Sequence, residues 1–181
     1  QDRAESQPPT GADWPVAPVL LEDQYTVADA VVVGGLLISL LRHTDRVHAA
    51  SQAQLVNVIA PIMTEPGGRS WKQTTFHPFA QVSALASGVV LRTALETPTY
   101  ESKRYGTAGL VDSVATWDEE SGDLVIFAVN RGIESATELS IDVHVAGLEL
   151  VGATSYAHHD HTWQATADDD ATVLPRPNET A

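Results

Sequence analysis

The hydrophobic period of this 181-residue chain changes near residue 86, and that change limits the folds open to it more than any other feature. The run TVADAVVVGGLLISLLRHTD (26–45) places apolar residues almost all round a helix, as in a buried helix. After Gly88, apolar residues recur at every second position, as in strands with one buried face. We therefore predict an α/β part over residues 1–86 and an all-β part over residues 87–181.

The predicted helix has start and stop signals. Thr26 and Asp29 fit a capping box, with the carboxylate at the positive end of the helix dipole. Two basic residues in the last turn favour a helix end there. Gly34 and Gly35 each lower intrinsic helix stability by about 1 kcal/mol. Their presence in spite of this cost predicts that the helix packs closely against a sheet.

The rest of the first part predicts one repeat of an α/β fold. We expect a short buried strand at 46–50, a short helix AQLVNVIAP (53–61) that ends near Pro61, and a helix over 71–85 broken at Pro78. One such repeat cannot bury its own apolar faces. The first part therefore belongs to a larger structure.

The second part predicts an antiparallel sandwich. Strands are expected at 88–94, 110–118, 123–130, 138–145 and within 148–158, separated by turns such as ESGD and NRGIES. The fourth of these strands has one polar face. Its register places His144 outward and four apolar residues inward: Leu139, Ile141, Val143 and Val145.

Composition excludes several partners. Ten Lys and Arg against 24 Asp and Glu give a net charge of −14, which disfavours nucleic acid and anionic membranes but suits a neutral partner such as a sugar. The longest apolar run, 31–41, is too short to span a bilayer. Without cysteine there is neither a disulfide nor a thiolate zinc site. The absence suits a cytosolic protein and is compatible with an exported one.

Two groups of residues are candidates for chemistry. The stretch HHDHTW offers His158, His159 and His161 as metal ligands, but a solvated loop explains it better, and we predict no metal there. Gln54 and Asn57 lie in an apolar stretch, where they form either a satisfied hydrogen-bond network or the edge of a binding site. Trp71 fits a buried helix start better than an aromatic platform for a sugar.

Three consecutive stretches carry a resemblance to a known family. The segments WPVAPVLLEDQYTVADAVVVGGLLISLLRHTDRV, AQLVNVIAPIMTEPGG and WKQTTFHPFA, within residues 14–80, closely resemble the α-L-arabinofuranosidases of glycoside hydrolase family 51. FAVNR (127–131) is similar, more loosely, to their C-terminal β-domain. The resemblance implies the closing segment of a (β/α)8 TIM barrel followed by an antiparallel jelly-roll-like β-sandwich.

The same resemblance implies where the catalytic residues are. Residues 26–43 would follow barrel strand seven and residues 46–52 would form strand eight, so earlier strands would precede Gln1. Both catalytic glutamates would then lie outside this chain, which would contain no catalytic residue and be a fragment or subunit. The terminus ATVLPRPNETA would stop short of the last sandwich strand.

The implied activity is that of a retaining exo-acting α-L-arabinofuranosidase, which releases terminal L-arabinofuranosyl residues from arabinan or arabinoxylan without a cofactor. The implied partners are an arabinose-containing oligo- or polysaccharide, the N-terminal remainder as a separate chain, and further copies in a homo-oligomer. We favour a cytoplasmic location. By resemblance, Gln54 binds the sugar that is cleaved; alternatively, it caps backbone groups. A non-catalytic carbohydrate-binding or protein-docking module is the alternative function.

Overall fold

The computed structural model describes residues 22–145 and 147–178. Its elements are, in chain order, α1 (Val27–Arg42), β1 (Ile62–Thr64), β2 (Ser70–Lys72), α2 (Phe76–Leu85), β3 (Val89–Leu91), β4 (Thr99–Ser102), β5 (Gly106–Gly109), β6 (Val111–Asp118), β7 (Asp123–Asn130), β8 (Thr154–Ser155) and β9 (Arg176–Pro177). The first 21 residues of the predicted barrel part lie outside the described residues, and they include WPVAPVLL (14–21) of the first resembling stretch. The last three residues of ATVLPRPNETA (171–181) also lie outside them.

All pairs between these strands are antiparallel, and one isolated parallel bridge joins Val56 to Ile62. The strands form the sheets β1–β2, β3–β6–β7, β4–β5 and β8–β9. The strands predicted at 110–118 and 123–130 are confirmed as β6 and β7, joined by the predicted ESGD turn with Gly122 at φ +76°. Small antiparallel sheets after residue 88 are consistent with the predicted β-sandwich.

The predicted capping box and close packing of α1 are both confirmed. Thr26 and Asp29 form the capping box, in which the Thr26 amide donates to Asp29 Oδ2 at 2.7 Å and the Asp29 amide donates to Thr26 Oγ1 at 3.3 Å. A Cβ added to Gly34 would lie 2.9 Å from Val129 Cγ1 in β7. The predicted close approach of this helix to a sheet is therefore confirmed at Gly34.

The prediction that α1 is well buried is met on one side only within the described residues. One stripe is buried and consists of Val27, Ala30, Gly34, Leu37 and Ile38. The opposite stripe faces solvent, where Val32 is 61% and Leu36 is 59% exposed. Helix α2 and the strands β6 and β7 pack against α1. No described residue covers the second stripe.

An ion triad fastens the end of α1 to the sandwich. Arg42 Nη2 donates to Asp112 Oδ1 and, at 2.7 Å, to the Ser113 carbonyl of β6. Arg131 Nη2 donates to the other oxygen of the same carboxylate at 2.5 Å. Asp112 is nearly buried, and two guanidinium groups compensate its charge.

Three local predictions in the first part are wrong. Residues 46–50 form no strand, because no described strand pairs with them. Residues 53–61 form an irregular loop rather than a helix, since Gln54, Asn57 and Val58 have positive φ angles. Pro78 does not break a helix: it lies in the first turn of α2, where its missing N–H has no helical partner to lose.

The strand predicted at 138–145 is also absent. This segment is irregular, and the four residues predicted to face inward (Leu139, Ile141, Val143 and Val145) are between 40% and 54% exposed. Only the outward position of His144 is confirmed, since its side chain is 88% exposed. A strand forms by pairing, and no described strand lies beside this segment to pair with it.

Within the described residues, no helix combines the length and apolar character needed to cross a membrane.

Candidate functional site

Gln54 lies in the loop between α1 and β1, and its side chain is exposed. Its φ of +55° places a non-glycine residue in the left-handed region. The Gln54 Oε1 atom accepts one long hydrogen bond, 3.5 Å, from the Ile59 amide. An amide side chain offers two donors and an acceptor, so most of its hydrogen-bonding capacity remains open to a ligand.

The backbone around Gln54 is strained and firmly held. Asn57 and Val58 have φ angles of +61° and +62°, and the β-branched Val58 is an unusual occupant of that region. Asn57 stabilises the turn, because its Oδ1 accepts from the Thr64 amide at 2.8 Å and its Nδ2 donates to Thr64 Oγ1 at 2.9 Å. Asn57 is therefore a structural residue of a satisfied network. Strained, well-anchored loops are common at binding sites.

Gln73 is a second amide of this region that the sequence analysis missed. It is 1% exposed, and its Nε2 donates to the Ala60 carbonyl at 2.8 Å and to the Asp23 carbonyl at 3.0 Å. Its Oε1 accepts from the Tyr25 amide at 3.0 Å. Gln73 thus joins the segment before α1, the Gln54 loop and the residues before α2. Only its place in the polar run QTT, directly before an apolar helix, could have indicated this role.

Tyr25 adds a contact between the same segments. Its hydroxyl donates to the Ile59 carbonyl at 2.8 Å, while the Asp23 amide donates to the Val58 carbonyl at 2.8 Å. Burial raises the pKa of Tyr25, and the charges of Asp23 and Asp29 raise it further. The phenol therefore stays protonated and keeps donating at neutral pH.

The HHDHTW stretch forms the predicted loop, and its middle is exposed. The rings of His158 and His159 lie 4.3 Å apart, although adjacent residues of a strand would point in opposite directions. Thr162 donates to Asp160 from both its amide and its hydroxyl, and these bonds lower the pKa of Asp160. Across the described residues, no three His, Cys, Asp or Glu side chains are arranged to hold a metal.

Trp71 lies in β2, so the predicted helix start is wrong. Its side chain is half-buried, and Nε1 donates to the Ala165 carbonyl at 3.2 Å. This bond fixes the indole against the chain of the second part. The structure therefore brings Trp71 to a junction between the two parts, rather than to a free surface.

At another junction, a pair of aromatic side chains joins α2 to the second part. The His77 and Tyr156 rings lie 5.0 Å apart. Burial lowers the pKa of His77, with a smaller contribution from Lys72, and burial raises the pKa of Tyr156 to about 12. Both side chains are thus held neutral, as suits packing rather than acid or base catalysis.

Known proteins resemble this chain along nearly its whole length. The family model described as "Alpha-L-arabinofuranosidase C-terminal domain" matches residues 3–181. An exo-alpha-(1->6)-L-arabinofuranosidase of Bifidobacterium longum is 48% identical over 178 residues, which cover 97% of this chain and 34% of that enzyme. An intracellular exo-alpha-(1->5)-L-arabinofuranosidase of Streptomyces lividans is 51% identical over 159 residues, which cover 88% of this chain and 23% of that enzyme.

A solved structure agrees with these matches. A family 51 alpha-L-arabinofuranosidase from Bifidobacterium longum superposes with a TM-score of 0.86 and 45% identity, covering 93% of this chain and 33% of that one. The chain thus spans about a third or less of the length of these relatives. The resemblance seen in the sequence is confirmed: the chain belongs to the α-L-arabinofuranosidase C-terminal domain family, within glycoside hydrolase family 51.

Proposed function

We propose that this chain is the C-terminal part of a retaining exo-acting α-L-arabinofuranosidase that removes terminal L-arabinofuranosyl residues from arabinan or arabinoxylan. Its relatives are named as exo-acting enzymes for 1→5 or 1→6 linked L-arabinofuranose, which supports this substrate class. Two glutamates would act as nucleophile and acid/base, with their carboxyl groups about 5 Å apart. Both would be supplied by sequence outside this chain.

The exposed stripe of α1 is the observation that carries this proposal. Val32, Leu36 and Leu40 form an apolar surface on a helix whose other stripe is already packed on the sandwich. Such a surface calls for a covering partner. Residues 47–50 line a largely apolar cleft together with α1 and α2, where a barrel strand would meet its flanking helices. Strands of the missing barrel would cover the stripe and pair with residues 46–50.

We assign residues 1–86 to the end of the barrel and residues 87–181 to the sandwich. The position of Gly88, between α2 and β3, supports this boundary. It has φ +72°, and an added Cβ would lie 2.0 Å from the Trp117 carbonyl oxygen. A side chain there would separate the linker from the sheet, so only glycine allows this close connection.

Gln54 would bind the sugar unit that is cleaved. It follows the segment assigned to strand eight, and TIM-barrel enzymes build their active sites from the loops after their strands. Its exposed amide and strained backbone support a ligand contact, whereas the 3.5 Å bond to Ile59 is too long to explain the residue as a cap.

The remaining partners follow from the same assignment. The barrel part would join this chain either as a separate polypeptide or as the preceding part of one enzyme, and the complete enzyme would be a homo-oligomer. We place it in the cytoplasm, since several relatives are named as intracellular. The mechanism with two glutamates needs no cofactor.

Activity measured with and without the barrel part tests this function. Intact masses of all polypeptides in a native preparation would first identify the partner chain. This chain alone should not hydrolyse a nitrophenyl arabinofuranoside, whereas the complete protein should release arabinose with its anomeric configuration retained. Hydrolysis by the isolated chain would contradict the assignment. A complete protein that binds arabinan without cleaving it would favour the non-catalytic binding module.

A further inference from the structure

The histidine loop, residues 158–164, is fastened to the start of α1. Its His161 and Trp163 carbonyls accept hydrogen bonds from the Ala28 and Val27 amides at 2.9 and 3.1 Å. These are the first amides of the helix, which otherwise lack a partner. Gln164 Nε2 also donates to the Gln24 carbonyl at 3.2 Å. A loop of the sandwich part is thus held against the segment that precedes and begins α1.

The Gln54 loop contacts the same segment. Its Val58 carbonyl accepts from the Asp23 amide, and its Ile59 carbonyl accepts from the Tyr25 hydroxyl. Asp23 and Ala28 are five residues apart, so their Cα atoms lie within about 18 Å even in a fully extended chain. The Gln54 loop and the histidine loop thus contact adjacent residues of this segment, Asp23 and Gln24.

The histidine loop contains a row of three neighbouring rings. The His158 ring lies 4.3 Å from that of His159 and 6.1 Å from that of Trp163, while His159 is exposed. The Trp163 amide donates to the Asp160 carbonyl at 3.3 Å, and Thr162 donates to Asp160 Oδ1 from both its amide and its hydroxyl. The row is therefore anchored at its inner end and open to solvent at its outer end.

We propose that the histidine loop is an outer sugar-binding subsite for the part of the glycan on the leaving-group side of the cleaved bond. This inference rests on the proposed function. An exo-acting enzyme encloses the terminal sugar only, so the rest of the glycan must cross the rim of the pocket. Ring faces pack against the C–H faces of sugars, and imidazole nitrogens exchange hydrogen bonds with hydroxyls. A neutral glycan experiences no repulsion from the acidic surface of this chain.

Comparing a long with a short substrate tests the subsite in the complete enzyme. For His159→Ala, we expect kcat/KM on an arabino-oligosaccharide to fall about three- to tenfold, the size of one lost ring contact, while kcat/KM on a nitrophenyl arabinofuranoside changes less than about twofold. His159→Phe keeps a ring face and should restore most of the loss. His144→Ala, which removes another exposed imidazole of the second part, should leave both substrates unaffected.

Two results would count against the subsite. An active enzyme whose His159→Ala variant loses equally on both substrates, or on neither, contradicts the subsite and leaves the proposed function intact. A wild-type enzyme that hydrolyses neither substrate contradicts the proposed function itself, and the subsite with it.

Discussion

Gln73 and Gln54 are two glutamines of the first part with opposite surroundings. Gln73 is buried, and its amide makes three hydrogen bonds of 2.8 to 3.0 Å to backbone groups of two segments, residues 23–25 and Ala60. Gln54 is exposed, strained, and holds one bond of 3.5 Å. The donors and acceptor of the Gln73 amide are occupied by backbone groups and cannot bind a ligand. The Gln54 amide has nearly all of its hydrogen-bonding capacity available.

The two stripes of α1 differ in the same way. The buried stripe packs on the sandwich, with Gly34 against Val129 and Arg42 paired to Asp112. The exposed stripe, which includes Val32 and Leu36, contacts none of the described residues closely enough to be covered. Within the described residues, one side of α1 is thus packed and the other side is exposed.

Replacing Gln73 should have the largest effect on stability. Gln73→Ala leaves the Tyr25 amide and the Asp23 and Ala60 carbonyls without their partner, so we expect unfolding free energy to fall by about 3–5 kcal/mol, at about 1–3 per unsatisfied buried group. Thermal or urea unfolding measures this loss. Gln54→Ala is the matched control and should change stability by less than about 0.5 kcal/mol. Equal losses in the two variants would remove the distinction between the two amides.

Breaking the ion triad should have the next largest effect. Asp112→Ala leaves Arg42 and Arg131 facing each other without a carboxylate between them. We expect a loss of about 2–3 kcal/mol, below the 3–5 of a fully buried pair, because both guanidinium groups are partly exposed. Asp142→Ala, which removes an exposed carboxylate, should cost almost nothing. If Asp112→Ala left the unfolding free energy unchanged, the triad would not hold α1 on the sheet.

Gln54 should matter for turnover and not for folding. In the complete enzyme, Gln54→Ala removes one or two hydrogen bonds to a sugar hydroxyl, each worth about 0.5–1.5 kcal/mol and more if strengthened in the transition state. We therefore expect kcat/KM to fall about tenfold to a few hundredfold. Steady-state kinetics beside a melting curve measure both effects. Unchanged turnover per folded molecule, with a lowered Tm, would return Gln54 to a structural cap.

Replacing the adjacent glycines Gly34 and Gly35 by alanine should change stability in opposite directions, and these are the smallest effects expected. Gly34→Ala would press its Cβ against Val129, so overpacking outweighs the gain in helix propensity and costs about 1 kcal/mol net. Gly35→Ala contacts only the Arg131 guanidinium at 3.9 Å and should add about 0.5–1 kcal/mol of stability. Urea unfolding resolves the pair. Equal gains in both variants would mean that α1 does not pack tightly on β7.

Sequence patterns predicted the elements whose partners lie within this chain. The capping box of α1, the Gly34 contact and strands β6 and β7 all follow from local signals and nearby pairing. The patterns at 46–50 and 138–145 are equally clear in the sequence, but these segments are irregular. A strand pattern describes what a segment can pair with, and the described chain offers these two segments no strand.

The site was predicted in part. Buried amides are costly unless they are hydrogen-bonded, so the sequence indicates a role for Gln54 and Asn57 in their apolar stretch. Asn57 is confirmed as part of a hydrogen-bond network. The left-handed backbone at 54, 57 and 58 was missed, because no glycine signals it. The role of Gln73 is not predicted, since its partners lie in two distant segments, and such long-range bonds leave no local pattern.

Hydrogen exchange of residues 46–50 tests the central claim most directly, namely that this chain completes a barrel begun elsewhere. The amides of this segment should exchange rapidly in the isolated chain, where no strand pairs with them. In the complete enzyme they should exchange at least about a hundredfold more slowly, as amides of a buried central strand do. Rapid exchange of residues 46–50 in both forms would contradict the claim, and the first part would then not be the closing segment of a barrel.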